Sequence, residues 1–364
     1  MAISPLLWIE PRTLEQAVKE VASGRGNKLV VKAGGVDLLD RLKEGLEHPE
    51  RLVNIRRLVD KARGLGDIVE LPADKVPEGV VRLLPADNSG KAPEPRACLR
   101  LGTLVTLGQI EASAELLRKV PALVAAAHGA ATPQVRQAAT LGGNLLQRPR
   151  CWYFRSAEFQ CLKKGGSECF AQHGENDFHA IFDNQPCAAV HASAAATALV
   201  ALDAIVAFQA PAGERYGRLS SFLVGPRQPG GDVKRENRLE DDELLLHVYV
   251  PVPGADERNH YVKIKQKQSF DWPLAEVALN VRRGGAGKLV QSARIVLGSV
   301  APVPYRAKGA EAELVRIAKA DEASLKVVGE AAIFGAMPLS KNGYKVPLVS
   351  GLVQRALAEL LAGQ

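Results

Sequence analysis

Four cysteines within one stretch of the chain have the clearest capacity for chemistry. Cys151, Cys161, Cys169 and Cys187 are four of the five cysteines in 364 residues. Their spacing, C-x9-C, C-x7-C and C-x17-C, matches neither a zinc ribbon nor a ferredoxin motif, so a metal centre and separate buried thiols both remain open. The turn at 163–166, KKGG, favours a thiolate cluster, because backbone N–H donors and cations offset the negative charge of such a cluster.

Two glycine pairs upstream of the cysteines could hold a phosphate. One is TLGGN, Thr140 to Asn144, where a hydroxyl and an amide flank the pair. The other is Ala33-Gly34-Gly35, which ends an apolar strand pattern in LVVKAGGVDLL. Glycine has no Cβ, so its backbone N–H can approach a ligand closely. One such pair after a strand is usually only a tight turn. Two pairs together favour a diphosphate site.

Composition and motif content disfavour several classes of protein. Apolar residues make up 46% of the chain, enough for two or three packed domains. The sequence lacks a run of about 18 apolar residues, and its start, MAISPLLWIEPRT, does not resemble a signal peptide. We therefore expect a cytoplasmic protein.

The net charge of +7 is scattered along the chain, which disfavours nucleic-acid binding. A Ser-His-Asp order, an HExxH motif and a Walker A lysine are all absent, which disfavours hydrolase and triphosphatase activity.

Apolar periodicity predicts the elements that position these residues. Thr13 is a candidate N-cap for a helix with Leu14, Ala17, Val18 and Val21 on its buried face. A strand then leads into the first glycine turn, residues 37–42 continue as a short helix or an extended loop, and 51–58 form a buried strand. The polar segment 60–95 is predicted to be a surface loop with short strands.

The middle of the chain is predicted to alternate between strands and helices. A strand leads into a helix that begins at Thr106, and further helices deliver the chain to TLGGN. We interpret Cys98 as a small core residue and His128 as a satisfied or exposed histidine. In the strand-like segment near the C-terminus, alternation places Lys263 on one face together with Tyr261, Lys265 and Lys267.

Three segments resemble the FAD-binding medium subunit of the xanthine dehydrogenase and carbon monoxide dehydrogenase family of molybdenum hydroxylases. They are KAGGVDLL, ATLGGNLLQRPRCWYFR and LGSVAPVPYRA. The cysteine segment resembles more narrowly the flavoprotein subunits of periplasmic aldehyde oxidoreductases, which add an iron–sulfur cluster to the FAD. The resemblance implies an α+β fold with a two-subdomain PCMH-type FAD-binding domain and a small C-terminal α+β domain of antiparallel sheet and helices. The implied boundaries are 1–58, 59–228 with an iron–sulfur insertion at 151–187, and 258–364.

The resemblance also implies a role as the FAD-containing electron-transfer subunit of a heterotrimer. A large molybdopterin subunit would oxidise the substrate, and a small [2Fe–2S] subunit would pass the electrons on. Aldehydes are the expected substrates, and purines or other N-heterocycles are the alternative. A free-standing flavin dehydrogenase and a non-catalytic binding module are the alternatives from other classes. Quinone, ferredoxin, oxygen and NAD all remain open as acceptors, as does export to the periplasm with a partner that carries the signal.

Site residues follow from the same resemblance, which implies no catalytic residue in this chain. The four cysteines would ligate one [4Fe–4S] cluster. Where relatives often carry an aspartate that contacts the flavin, this chain has Ala194 after Ser193. The implied FAD-binding residues are Val31, Lys32, Ala33, Gly34, Gly35, Val36, Asp37, Leu38, Thr106, Ala139, Thr140, Gly142, Gly143, Asn144, Ser193 and Lys263.

Overall fold

The computed structural model describes residues 5–24, 28–58, 64–85, 93–285 and 288–362. In these ranges it contains no helix that is long and apolar enough to cross a membrane. Residues 60–63 and 86–92 of the predicted surface loop lie outside the described residues, as do the predicted domain limits at 1, 59 and 364.

The N-terminal unit carries the first glycine turn on a small parallel sheet. Its elements are β1 (Leu7–Ile9), α1 (Leu14–Ser23), β2 (Leu29–Lys32), α2 (Val36–Lys43) and β3 (Arg51–Asn54), with the strand order β1-β3-β2. The Thr13 hydroxyl accepts the Gln16 N–H at the start of α1, and the four predicted apolar residues of that helix are buried. The segment after the glycine turn is a helix, the first of the two predicted alternatives.

A five-stranded antiparallel sheet forms the middle of the molecule. It consists of β4 (Ile68–Leu71), β5 (Cys98–Gly102), β6 (Ile205–Ala210), β7 (Gly213–Arg218) and β8 (Leu244–Pro251), in the order β4-β5-β8-β6-β7. The helices are α3 (Glu78–Val81), α4 (Leu107–Ala112), α5 (Ala114–Lys119), α6 (Pro121–His128), α7 (Pro133–Ala138), α8 (Leu141–Leu145), α9 (Trp152–Arg155), α10 (Ala194–Ala201) and α11 (Leu219–Phe222).

The C-terminal unit is an antiparallel sheet covered by helices. Its strands are β9 (Glu257–Lys265), β10 (Pro273–Arg283), β11 (Val290–Gly298) and β12 (Tyr305–Arg306), in the order β12-β11-β10-β9. Its helices are α12 (Lys308–Arg316), α13 (Glu322–Ala332) and α14 (Lys345–Ala362). Val277 and Leu279 of β10 pack into the core under these helices, whereas Ala278 packs into the core of the middle unit with α10. The strand is therefore buried on both faces, and the predicted α+β class is confirmed.

The cysteine segment between α8 and α10 is held in place by the C-terminal unit. Met337 N–H donates to the carbonyl of Ile181 over 2.7 Å, and Lys345 Nζ donates to the carbonyl of Phe178 over 3.0 Å. The Asn342 side chain donates to the carbonyl of His179 over 3.1 Å. We refer to residues 337–345 as the closing segment. Because its contacts are buried or half-buried, the cysteine segment is part of the packed structure.

Cys98 and His128 behave as the sequence predicted. Cys98 is fully buried in β5, and burial raises the pKa of its thiol to about 11. His128 is exposed at the end of α6, where its Nδ1 lies 2.8 Å from Glu111 Oε1.

Candidate functional site

The two glycine pairs, far apart in sequence, meet in space. A Cβ on Gly34 would lie 2.1 Å from the carbonyl oxygen of Ala138, so only glycine permits this contact between the two loops. Gly35 has φ +82° as the N-cap of α2, a conformation that also favours glycine. A Cβ on Gly142 would lie 2.8 Å from Thr103 Cβ, so this glycine packs α8 against the neighbouring loop. Gly34 and Gly142 thus bring the loops together, and Gly143 remains exposed.

A cavity of about 430 Å³ lies between these loops and the C-terminal sheet. We call it the flavin cavity, after the cofactor that the sequence resemblance implies. All of the FAD-binding residues implied by the sequence line it, except Thr106 and Ser193. Thr106 instead forms the N-terminal cap of α4, in a capping box with Gln109. Ser193 is the N-cap of α10 and donates its hydroxyl to Asn144 Oδ1 over 2.6 Å. It therefore contacts a residue of the cavity wall but does not line the cavity itself.

Two polar side chains of TLGGN each accept a hydrogen bond within the protein. The Thr140 hydroxyl accepts the Gly143 N–H over 3.2 Å as the cap of α8, and Asn144 Oδ1 accepts the Ser193 hydroxyl. The role of both residues in FAD binding stays a prediction. Both residues still border the cavity, and an added Cβ on Gly143 would meet only Thr140 Oγ1, at 3.1 Å. The backbone at Gly143 is consequently open to a ligand.

Lys263 reaches the cavity from β9. Its ammonium group donates to the carbonyl of Gly129 over 2.7 Å, and burial lowers its pKa. Glu276 lies directly opposite on β10 and also lines the cavity. Burial raises the pKa of the Glu276 carboxyl, although the Lys263 charge works in the other direction. The cavity thus has a lysine and a nearly fully buried glutamate in its lining.

Many residues that line the flavin cavity were not predicted from the sequence. Glu276 had one visible signal, since it is a lone acidic residue in the otherwise apolar run PLAEVAL. The others lack a local motif and arrive from distant elements. The additional lining residues are Asp40, Arg41, Ile55, Thr103, Leu104, Leu107, Ala130, Ala131, Thr132, Val135, Leu146, Gln147, Arg150, Ala192, Ala194, Leu239, Glu243, Leu244, Leu245, Phe270, Asp271, Trp272, Pro273 and Glu276.

Asp37 joins the first glycine loop to the start of the cysteine segment. Its carboxylate lies 3.1 Å from Arg41 Nε, 2.8 Å from an Arg150 nitrogen and 2.7 Å from an Arg155 nitrogen. It also accepts the Arg148 N–H over 3.1 Å. Burial acts to raise the pKa of Asp37, but the guanidinium groups hold it below the usual range. The carboxylate is therefore charged, and it fixes helix α2 to the segment that carries the cysteines.

Four free thiols surround one small cavity, which we call the cysteine cavity. Cys151, Cys161, Cys169 and Cys187 all border it, together with Tyr153, Phe154 and Phe170. Its volume is about 10 Å³, so the side chains nearly fill the space between them. No group of three or more His, Cys, Asp or Glu side chains among the described residues is arranged to hold a single metal ion. The donor set suits a thiolate-ligated iron–sulfur cluster, which spreads its ligands more widely than one ion does.

Backbone N–H groups act on the pKa of three of these thiols. Those of Phe154 and Tyr153 lower the pKa of Cys151, those of Ala188, Ala171 and Gln172 lower that of Cys169, and that of Ala189 lowers that of Cys187. Neither Cys151 nor Cys169 caps the turn that follows it with a side-chain hydrogen bond. Burial raises the pKa of Cys151 to about 11, whereas the hydrogen bond from Cys187 lowers that of Cys169 to about 6. His179 Nε2 lies 3.2 Å from Cys151 Sγ.

The turn at 163–166 does not provide the expected donors. The N–H groups of Lys164 and Gly166 donate to the carbonyl of Cys161, and that of Gly165 donates to the carbonyl of Leu162. The turn is a 3-10 turn in which these N–H groups donate to carbonyl groups of the same turn, so they are not available to the thiols. Lys163 is buried and donates to Glu236 Oε1 over 2.6 Å. The hydrogen bond with Cys169 and burial raise the pKa of Cys187, and the Lys163 charge partly opposes this rise.

A second cavity of about 410 Å³ lies beside both sites. We call it the bridging cavity, because Cys151 borders it and because it shares five lining residues with the flavin cavity. The shared residues are Arg150, Ala192, Asp271, Trp272 and Pro273. The cysteine cavity and the flavin cavity are thus separated by one further cavity.

Comparison with protein families gives matches over most of the chain. Residues 93–253 match the family described as the FAD binding domain in molybdopterin dehydrogenase. Residues 260–360 match the CO dehydrogenase flavoprotein C-terminal domain. The first match covers the middle sheet except β4, and the second covers most of the C-terminal unit.

Individual relatives align over nearly their whole length. The chain is 31% identical over 333 residues to the aldehyde oxidoreductase FAD-binding subunit PaoB of Escherichia coli K12, covering 91% of this chain and 91% of that protein. It is 23% identical over 357 residues to the carbon monoxide dehydrogenase medium chain of Hydrogenophaga pseudoflava, covering 95% and 94%. Among solved structures, the carbon monoxide dehydrogenase of Hydrogenophaga pseudoflava matches with a TM-score of 0.71 at 23% identity, over 100% of this chain and 99% of that one. Quinoline 2-oxidoreductase of Pseudomonas putida 86 matches with a TM-score of 0.69 at 20% identity, over 100% and 99%.

Proposed function

The chain belongs to the family of FAD-binding subunits of molybdenum hydroxylases, and we propose that it relays electrons through a [4Fe–4S] cluster held by its four clustered cysteines. It is an oxidoreductase subunit. The finer proposal is supported chiefly by the convergence of Cys151, Cys161, Cys169 and Cys187 on one cavity, although 36 positions separate the first from the last. Four thiols with separate packing roles would not be expected to border one common cavity.

The surroundings of the thiols suit a cluster. Backbone N–H groups act to lower the pKa of three of the thiols, and such donors stabilise thiolates and tune the potential of an iron–sulfur centre. Tyr153, Phe154, Phe159 and Phe170 pack around the cysteines and limit access of water. The four side chains nearly fill the cavity, so a cluster held by them would take the space that they now occupy.

The flavin cavity supports the proposed placement of FAD. The backbone at Gly143 is open to the cavity, Gly35 also lines it, and Lys263 supplies a positive charge from β9. Bound FAD supplies the two-electron redox chemistry, and the protein binds and orients it. The residues of this chain hold the cofactor, and Asp37 with its arginines fixes the distance between the flavin loop and the cysteine segment.

Partners, substrate and location belong to the same proposal. We expect a large molybdopterin subunit and a small [2Fe–2S] subunit to complete the enzyme, in the cytoplasm or exported with a partner. An aldehyde is the favoured substrate, because a relative that is 31% identical is named an aldehyde oxidoreductase subunit. A purine or another N-heterocycle is the alternative. Copurification of the complex and assay against a panel of both substrate classes would decide between them.

Iron and sulfide analysis after anaerobic purification tests the cluster directly. We expect about four of each per chain, with a broad visible absorbance. Cys161→Ser should lose that absorbance and the iron while FAD remains. Cys98→Ser is the matched control, because Cys98 is equally buried but lies in β5, away from the cysteine cavity. One zinc per chain, or equal iron in both variants, would overturn the cluster assignment.

A further inference from the structure

Glu276 is a buried carboxyl group in the wall of the flavin cavity. Its side chain is 2% exposed and borders the cavity from β10. Oε2 accepts the Thr197 hydroxyl over 3.3 Å. A Cβ on Gly298, which pairs with Glu276 from β11, would lie 2.1 Å from the same oxygen. The carboxyl group therefore occupies space that β11 leaves free only because residue 298 is a glycine.

Two ammonium groups lie near Glu276, but each is bound elsewhere. Lys263 pairs with Glu276 in the register of β9 and β10, yet its Nζ donates to the carbonyl of Gly129 over 2.7 Å. Lys345 of α14 donates to two backbone carbonyl groups, over 2.9 Å and 3.0 Å. Both charges act to lower the pKa of Glu276, but neither ammonium group forms an ion pair with it.

The other neighbours of the carboxyl group carry no charge. The Tyr261 hydroxyl of β9 is buried close enough to act on the pKa of Glu276, but it has no hydrogen bond of good geometry among the described residues. The fourth neighbour is the Thr197 hydroxyl of α10. Burial outweighs all four groups and raises the pKa of Glu276. These surroundings favour the neutral acid, which carries an O–H donor that a carboxylate lacks.

Glu243 shows the opposite arrangement in the same cavity. It is 5% exposed and also borders the cavity. Its two oxygens bind the Arg215 guanidinium, and Oε2 also accepts the Glu240 N–H over 2.9 Å. Of the two glutamates that border the cavity, Glu276 is therefore the one whose carboxyl group has no cation bound to it.

The part of the cavity that adjoins β10 suits a flat ring. Phe270 and Trp272 lie between β9 and β10 and border the cavity with exposed side chains. The isoalloxazine ring of FAD is flat, and its carbonyl oxygens and ring nitrogens accept hydrogen bonds. The anionic diphosphate belongs at the glycine loops in the proposed placement. A neutral O–H donor beside aromatic side chains therefore matches the ring.

We propose that Glu276 holds a proton in the FAD-loaded protein and donates that O–H to an acceptor atom of the isoalloxazine ring. The inference deepens the proposed FAD-binding function and rests on it. Ionisation would replace the donor with a buried negative charge that faces the acceptor atoms of the ring. The affinity for FAD should therefore be highest where Glu276 is protonated and should fall as the pH rises through its ionisation.

Titration of the full-length apoprotein with FAD, from about pH 6 to about pH 9, tests the proposal. The wild-type affinity should fall by up to about tenfold per pH unit once Glu276 ionises. Glu276→Gln keeps a neutral donor of the same shape, so its affinity should stay within about threefold of wild type at the lowest pH and exceed it at the highest. Burial lowers the pKa of Lys345 to about 7. Because Lys345 and Lys263 titrate in both proteins, the ratio of the two dissociation constants at each pH isolates Glu276.

Two further variants separate the donor from the charge. Glu276→Met removes the donor and should weaken FAD binding roughly 3- to 10-fold at the lowest pH, the usual effect of losing one neutral hydrogen bond. Glu243→Gln is the matched control, because its carboxylate is bound to Arg215, so its ratio to wild type should be the same at every pH. Urea unfolding of each apoprotein reports whether the variant is folded.

Infrared spectroscopy detects the proton directly. At about pH 7, the difference spectrum of the FAD-loaded wild type and Glu276→Gln should show the C=O band of a protonated carboxyl group. A wild-type chain that takes up no FAD at any pH refutes the proposed function. A chain that binds FAD refutes only the role of Glu276 if that band is absent or if the ratio between wild type and Glu276→Gln is constant across the pH range. Full affinity in a folded Glu276→Met protein would also refute that role.

Discussion

Replacing Gly143 with valine separates the flavin contact from the stability of the fold. An added Cβ meets only Thr140 Oγ1, at 3.1 Å, and otherwise enters open space in the flavin cavity. Glycine within a helix costs about 1 kcal/mol relative to alanine, and valine costs somewhat less. The small gain in helix propensity offsets the tight contact with the Thr140 hydroxyl. We therefore expect the free energy of unfolding of the apoprotein to stay within about 1 kcal/mol of wild type.

The same side chain should strongly weaken FAD binding. It occupies the space through which the backbone N–H groups reach the diphosphate, and a hydrogen bond to a charged group contributes about 1.5–3 kcal/mol. Loss of one such bond corresponds to a roughly 10- to 150-fold increase in the dissociation constant. Titration of the apoprotein with FAD, followed by flavin fluorescence, measures the affinity, and urea unfolding of the apoprotein measures the stability.

Gly142→Ala is the matched control for this experiment. Its Cβ would lie 2.8 Å from Thr103 Cβ, so it overpacks the contact behind the loop and should cost about 1–3 kcal/mol of stability. Gly143→Val should therefore lose FAD affinity while keeping its stability, whereas Gly142→Ala should lose stability. Wild-type FAD affinity in a normally folded Gly143→Val protein would refute the placement of the diphosphate at this loop.

Three further changes probe the other groups around the site. Lys263→Met removes the buried cation from the flavin cavity and should lower FAD affinity by about tenfold, with a weaker dependence on salt, as measured by the same titration. Burial lowers the pKa of His191 to about 4 from 6.5. The unfolded chain therefore binds the proton first, and the stability present above pH 6.5 should fall by roughly 3 kcal/mol as the pH drops to 4. Urea unfolding across this range should show a flatter profile for His191→Asn. Asp37→Asn leaves the buried guanidinium groups of Arg150 and Arg155 without their anion and should cost about 3 kcal/mol. Thermal unfolding and iron content should both fall, whereas Asp74→Asn, at an exposed carboxylate, should change neither.

Local patterns in the sequence predicted the elements well where one face of an element is buried. The spacing of Leu14, Ala17, Val18 and Val21 was sufficient for α1, because a single apolar face decides that helix. The glycine pairs were informative because one glycine of each pair, Gly34 and Gly142, leaves too little room for a Cβ. The roles of the individual FAD-binding residues stay predictions.

Side-chain partners over long sequence distances could not be predicted in this way. The TLGGN motif did not predict that the Thr140 hydroxyl would cap the one-turn helix α8. The KKGG turn was expected to supply donors to the cysteines, but a closed turn uses its N–H groups internally. Glu276 and Trp272 reach the flavin cavity only because β9 and β10 pack beside the glycine loops. No local pattern encodes that packing.

The closing segment has a consequence for the order in which the protein is made. Met337, Asn342 and Lys345 hold the cysteine segment in place, yet they follow Cys187 by roughly 150 residues of chain. A ribosome adds about 5–20 residues per second, so the last cysteine emerges roughly 8–30 s before the contacts that close over it can form. During that interval the four thiols lack the contacts that later close over them. Under the proposed cluster assignment, this interval is when iron and sulfide are delivered, and completion of α14 ends it.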